Sequence, residues 1–169
     1  MPEKQTLERA RRDKRQGKAS STQAGEFVKE EMDHIREGKH GARSTKQAIA
    51  IGLSKARRAG VDLPPPRKGK TSEKTRRSAS RDYARGHGAP ARRKSTAKRS
   101  RASSRALKRE GRSAASHTAL AKQARGAARR RTRSDRSAAA HKAARTKGRA
   151  ERSAAARKAA RTREARASA

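Results

Sequence analysis

The sequence predicts an all-α N-terminal head of two to three short helices, followed by a long basic low-complexity tail that is disordered when free but inclined to helix. Three observations predict it. Of 169 residues, 50 are Lys or Arg and 15 are Asp or Glu, a net charge of +35. Aromatic residues are one Tyr and one Phe, so burial cannot offset the ordering entropy of the whole chain. Both properties are also distributed unevenly. Residues 1–63 hold 15 basic and 9 acidic side chains, whereas residues 64–169 hold 35 and 6. Eleven of the Val, Ile, Leu, Met, Phe and Tyr side chains precede Pro64, and only Tyr83, Leu107 and Leu120 follow it.

In chain order, the charged stretch Thr6 to Arg15 reads as a frayed helix with only Leu7 to bury. Ser20 and Gln23 have capping-box spacing, and Val28, Met32 and Ile35 then fall on one helical face beside Phe27. Gly38 and Gly41 end that segment. Ser44 and Gln47 repeat the capping-box spacing, with Ala48, Ile49, Leu53 and Ala56 as a second apolar stripe. Gly60 is placed as a left-handed C′ residue with Val61 as its hydrophobic contact. The domains expected are a head over 1–63, a Pro-rich linker over 64–70 containing Pro64-Pro65-Pro66, and a tail over 71–169. So small a head is marginal alone, which leaves partial folding, a homodimer or a protein partner open.

The tail is rich in Arg, Ala, Ser and Lys. The run from Arg136 to Thr146 returns sixteen residues later from Arg152 to Thr162, an imperfect repeat over 136–166, and Arg112 to His117 is an earlier cousin. Ala, Arg and Lys favour helix, while like charges at i, i+4 and the lack of an apolar face oppose it in water. Helix gained on binding a polyanion is the expectation for 112–165. Sixteen residues at about 100° each leave successive copies roughly 160° out of phase, so the repeat is compositional.

Composition also excludes chemistry. With no Cys there are no disulfides, thiolate zinc sites or thiol nucleophiles. No apolar run approaches the roughly 18 residues of a membrane span, and the N-terminus lacks a hydrophobic signal segment. No phosphate loop or catalytic constellation is present, so the reading is not an enzyme, with no cofactor. His34, His40, Glu30 and Asp33 have metal-ligating chemistry, but Asp33 and His34 point to different sides of a helix and His40 lies past Gly38, so no metal is expected.

The dominant signal is electrostatic. Each phosphate neutralised on duplex DNA steepens the salt dependence by about 0.9, and this tail could engage on the order of ten to twenty phosphates. The candidate contacts are Arg76, Arg77, Arg92, Arg93, Lys94, Lys98, Arg99, Arg101, Arg129, Arg130, Arg131, Arg133, Arg145, Arg157, Lys158 and Arg161. Arg outnumbers Lys in the tail, 25 to 10, which suits minor grooves, phosphates and Arg-rich RNA binding alike. Arg43, Lys46, Lys55, Arg57 and Arg58 would make Ser44 to Arg58 a recognition helix, although a packed helix with a solvated basic face is the simpler reading. Arg85 to Arg93 reads as linker first and as a minor-groove hook second.

The segments Ser21 to Val28, His34 to Ser44 and Lys46 to Gly60 resemble a family of small basic bacterial proteins, a domain of unknown function whose members are sometimes labelled DNA-binding. The resemblance covers about residues 4–66 and implies a bacterial cytosol. The tail is similar to bacterial histone-H1-like proteins in composition only, since it prefers Arg and lacks regular Lys-Pro-Ala-Ala units. The function expected is therefore a non-sequence-specific, histone-like DNA-binding protein of the nucleoid, cytoplasmic, with DNA as the favoured partner. The alternatives are an RNA-binding or ribosome-associated protein, and an adaptor whose head binds a protein while its tail tethers it to polyanions.

Overall fold

A computed structural model describes residues 2–90, 96–146 and 148–167. Among them are eight α-helices: α1 Lys4–Arg15, α2 Ser20–Arg36, α3 Thr45–Arg58, α4 Glu73–Gly86, α5 Ala97–Arg109, α6 His117–Arg129, α7 Arg133–Thr146 and α8 Arg149–Ala167. A single 3-10 turn lies at Ser113–Ala115. The chain divides into two compact units, Met1–Gln123 and Ala124–Ala169.

In the first unit α2 packs against both α1 and α3. Phe27 and Ile35, two turns apart on α2, are fully buried at the centres of two apolar clusters. Phe27 joins Ala10, Ala24, Ala56 and Val61, with Leu7, Leu53 and Leu63 packed against them. Ile35 joins Met32, Ala42, Ala48, Ala114 and Ala115, with Val28, Ile49 and Leu120 alongside. Burying either large side chain stabilises the unit by about 1.5–3 kcal/mol. On α3 the inward positions Ala48, Gly52 and Ala56 are small and four apart, so α2 can approach closely. A Cβ on Gly52 would stand 2.7 Å from the Val28 Cα.

Several expectations for the head hold at atomic detail. Ser44 Oγ accepts from the Gln47 amide at 3.2 Å, and the Gln47 side chain accepts from the Arg43 amide at 2.9 Å. Gly60 adopts φ +83°, and the Val61 amide donates to Ala56 O at 3.1 Å, which closes a Schellman motif with Val61 buried. Two details differ. The N-cap of α2 is Ala19, one residue before Ser20, and it makes no side-chain cap. The N-terminal stretch is a full helix, α1, whose buried positions Thr6, Ala10 and Asp13 are mostly polar. They are tolerated because they are answered, Asp13 by Lys18 Nζ at 2.7 Å.

The disordered tail is overturned: the described residues beyond the proline run are largely helical, and residues to Gln123 belong to the same compact unit as the head. Two physical effects order these residues. The first is burial of small residues, since Ala114 and Ala115 enter the Ile35 cluster. Around them the Thr45 hydroxyl donates to Ala114 O at 2.7 Å and Arg36 Nε to Ala115 O at 3.1 Å. The amides of Gly41 and Ala42 donate to Leu107 O at 2.9 Å and Gly111 O at 3.2 Å. That approach needs glycine at 41, because a Cβ there would lie 1.8 Å from Glu110 O.

The second effect is capping. Ser72 Oγ accepts from Thr75 N, Thr96 Oγ1 from Arg99 N and Ser116 Oγ from Ala119 N. Thr132 and Asp135 form a reciprocal capping box at 3.1 and 3.2 Å. A cap contributes about 1 kcal/mol, against roughly 0.2–0.5 for each like-charge i, i+4 pair, and the Ala-rich sequence adds its own propensity.

In the second unit α7 and α8 each carry one copy of the repeat, and nearly all their described side chains are exposed. Helix α7 ends at Thr146 and α8 begins at Arg149, with Gly148 outside both.

Candidate nucleic-acid interface and an acid–histidine cluster

In the first unit many acidic side chains are answered from within. Glu26 pairs with Arg9, Asp33 with Arg36, Glu73 with Arg76 and Arg77, and Asp82 accepts from Ser54 near Arg58. The Arg76 contact holds the Glu73 carboxyl below its ordinary range. Exposed charge is thereby left more one-sided than composition alone conveys.

On α5, Lys98, Arg101, Arg105 and Lys108 recur three and four residues apart and so share one helical face. All four are exposed, and α5 contains no acidic residue. Arg99 is also exposed but lies off this stripe. In the second unit Arg129, Arg130, Arg131, Arg133, Arg145, Arg157, Lys158 and Arg161 are all exposed. Arg92, Arg93 and Lys94 lie outside the described residues.

The head contacts divide. Arg43, Lys46 and Arg58 face solvent. Lys55 is turned inward between Glu30 at 3.1 Å and Glu31 at 2.8 Å. Burial works against its charge, but the Glu31 and Glu30 carboxylates outweigh that and raise its pKa. Arg57 is buried and donates from Nε to Leu63 O at 3.0 Å, with burial lowering its pKa. Helix α3 is therefore a packed helix rather than a free reading surface. The hook over Arg85 to Arg93 is also revised. Arg85 and Gly86 end α4, and Gly86 lies so close to the Arg57 carbonyl that a Cβ would meet it at 1.9 Å. Ala91 to Arg93 are outside the described residues. Tyr83 is engaged too, its hydroxyl donating to Asp62 at 2.7 Å and its ring stacked on His87 at 4.0 Å.

Sequence reasoning missed a second grouping. One ligand atom each from Glu31, His34 and His40 lie within 4.8 Å of one another. Glu31 and His34 sit three apart on α2, and the left-handed turn at Gly38 folds the chain back so that the His40 ring meets His34 edge to face at 6.0 Å. The spacing argument placed His40 too far away because it treated Gly38 as an end rather than a reversal. The readable signal was Glu31-x-x-His34 followed by that glycine.

Around the cluster, His34 Nε2 donates to Glu3 Oε1 at 2.8 Å, and this bond first, then Lys39, lowers the Glu3 pKa. Glu30 is buried, which opposes its ionisation. Hydrogen bonds from Thr6, Lys55 and the Glu3 amide outweigh the burial and hold its pKa low. Glu31 is the most secluded, its side chain 1% exposed, with Oε2 paired to Lys55 Nζ at 2.8 Å and Oε1 3.3 Å from His40 Nε2.

Residues 4–68 match the profile of a family of unknown function (DUF6496). That description assigns no ligand, so the DNA-binding label of the resemblance is not carried by the match. No curated protein and no solved structure matches the chain. No helix among the described residues is long and apolar enough to cross a membrane.

Proposed function

We propose that this chain binds duplex DNA without sequence preference, as a histone-like protein of the nucleoid, by laying basic helices along phosphate backbones. The observation that carries the reading is the acid-free basic face of α5. From Lys98 to Lys108 it spans about 15 Å of helix, long enough to meet several phosphates at once. The exposed cations of α7 and α8 extend the same chemistry. A duplex is favoured because B-form grooves admit a helix, whereas the deep groove of A-form RNA does not. Reading of single strands needs aromatic platforms, and Tyr83 is already stacked on His87.

The test is binding to matched duplex DNA and structured RNA across a salt series, for the full chain and for a K98A/R101A/R105A/K108A variant. The variant should lower the log–log salt slope on DNA by about 3 to 4. An unchanged slope removes α5 from the interface. Tighter binding to RNA at every salt replaces DNA with RNA as the partner.

A further inference from the structure

We propose that Glu31, His34 and His40 form a site for one divalent transition-metal ion of the zinc class. Two imidazoles and a carboxylate are a donor set suited to such an ion. His40 Nε2 and Glu31 Oε1 already stand 3.3 Å apart, about the separation of two ligands held roughly 2.0–2.1 Å from one tetrahedral ion.

The surroundings point the same way. His40 Nδ1 lies 3.2 Å from Gly41 O, to which its N–H donates, so in the neutral ring the Nε2 lone pair faces the buried Glu31 carboxylate. Those electron pairs oppose one another until a cation lies between them. The Glu31 carboxylate is buried, with Lys55 Nζ against Oε2 at 2.8 Å and Oε1 left toward the histidines. Glu3 holds His34 from its Nε2 side, the carboxylate–histidine arrangement that orients a ligand ring and strengthens its other nitrogen.

Charge favours a cation as well. The carboxylates of Glu3, Glu30, Glu31 and Glu37 meet the ammonium groups of Lys39 and Lys55, so with neutral imidazoles the cluster is locally negative in a strongly basic chain. The site also has a structural consequence. His40 precedes Gly41 and Ala42, whose amides hold the carbonyls of Leu107 and Gly111, so a bound ion stiffens the seat of that docked segment.

Zn²⁺ titrated calorimetrically into the full chain tests this, with Co²⁺ as the spectroscopic probe. One equivalent should bind, and Co²⁺ should show the intense visible bands of a tetrahedral nitrogen–oxygen site. H34A and H40A, both at partly exposed positions, should each weaken Zn²⁺ binding by roughly tenfold or more, and E3A by about tenfold. A triple H87Q/H117Q/H141Q variant should bind as the parent does. No Zn²⁺ uptake at about 100 µM overturns the proposal in favour of a protonated His40–Glu31 pair, and uptake that survives both H34A and H40A places the ion elsewhere. Should either histidine variant lose its helical circular dichroism, the parent Co²⁺ spectrum decides, and an octahedral, water-like spectrum overturns the site. None of these readouts depends on nucleic acid, so this inference and the DNA reading fail separately.

Discussion

The tetrapeptide Arg-Ser-Ala-Ala occurs at 112–115, 136–139 and 152–155, and the chain uses it in two ways. At 112–115 it makes a 3-10 turn whose alanines are buried against Ile35, with both alanine carbonyls accepting from the head. At 136–139 and 152–155 it lies inside α7 and α8 with every side chain exposed. Local propensity is nearly identical in the three copies. What differs is the neighbour: the first copy is flanked by chain that reaches the α2–α3 turn, where Gly41, Ala42 and Thr45 present a donor-lined seat. An alanine methyl is small, but against a formed surface it completes a core that no count of large side chains anticipates.

The comparison can be broken most sharply by charge. Ala115→Glu should destabilise the first unit by about 3–5 kcal/mol, because it buries an unpaired carboxylate, while Ala139→Glu and Ala155→Glu should stay within about 0.5 kcal/mol. Thermal unfolding of the three variants reads the difference, and equal melting would dissolve the distinction between docked and free copies. Gly41→Ala attacks the seat instead. Its Cβ collides with the Glu110 carbonyl, so a loss of about 1–3 kcal/mol and faster amide exchange over 107–120 are expected, with Gly111→Ala as a neutral control.

Thr45→Val removes one hydrogen bond and leaves Ala114 O without its donor, for a loss of about 1–2 kcal/mol. On the exposed side, Asp135→Ala opens the capping box of α7 and should cost about 0.5–1 kcal/mol, read as a small drop in helical ellipticity. Acid gives the mildest probe. Glu30 has a lowered pKa in the folded unit, so its contribution is present above the ordinary carboxylate range and disappears as pH falls through the lowered value. Lys55, raised, contributes below the ordinary lysine range and is lost as pH rises through its raised value. Melting temperature against pH should therefore show a plateau between acid and strong alkali, and E30Q should flatten its acid side.

The legible parts of this molecule are those encoded within a few residues. Ser44 with Gln47, Gly60 with Val61, and the Phe27–Ile35 face were readable because caps and helical periodicity act locally. The caps at Ser72, Thr96 and Thr132 were equally local and were obscured only by the basic composition around them. Lys55 and Arg57 are not legible as inward-facing, because charge favours exposure unless partners such as Glu30, twenty-five residues away, and Leu63 O, six away, make burial tolerable.

The sequence by itself determined an all-α head, the excess of positive charge and where α3 begins and ends, since propensity, capping and Coulomb charge need no distant partner. Tertiary structure alone decided which Arg-Ser-Ala-Ala becomes core, which cations turn inward, and that His40 meets Glu31 and His34. Each of those outcomes depends on a chain reversal or a long-range seat that brings together groups whose separation along the sequence conceals them.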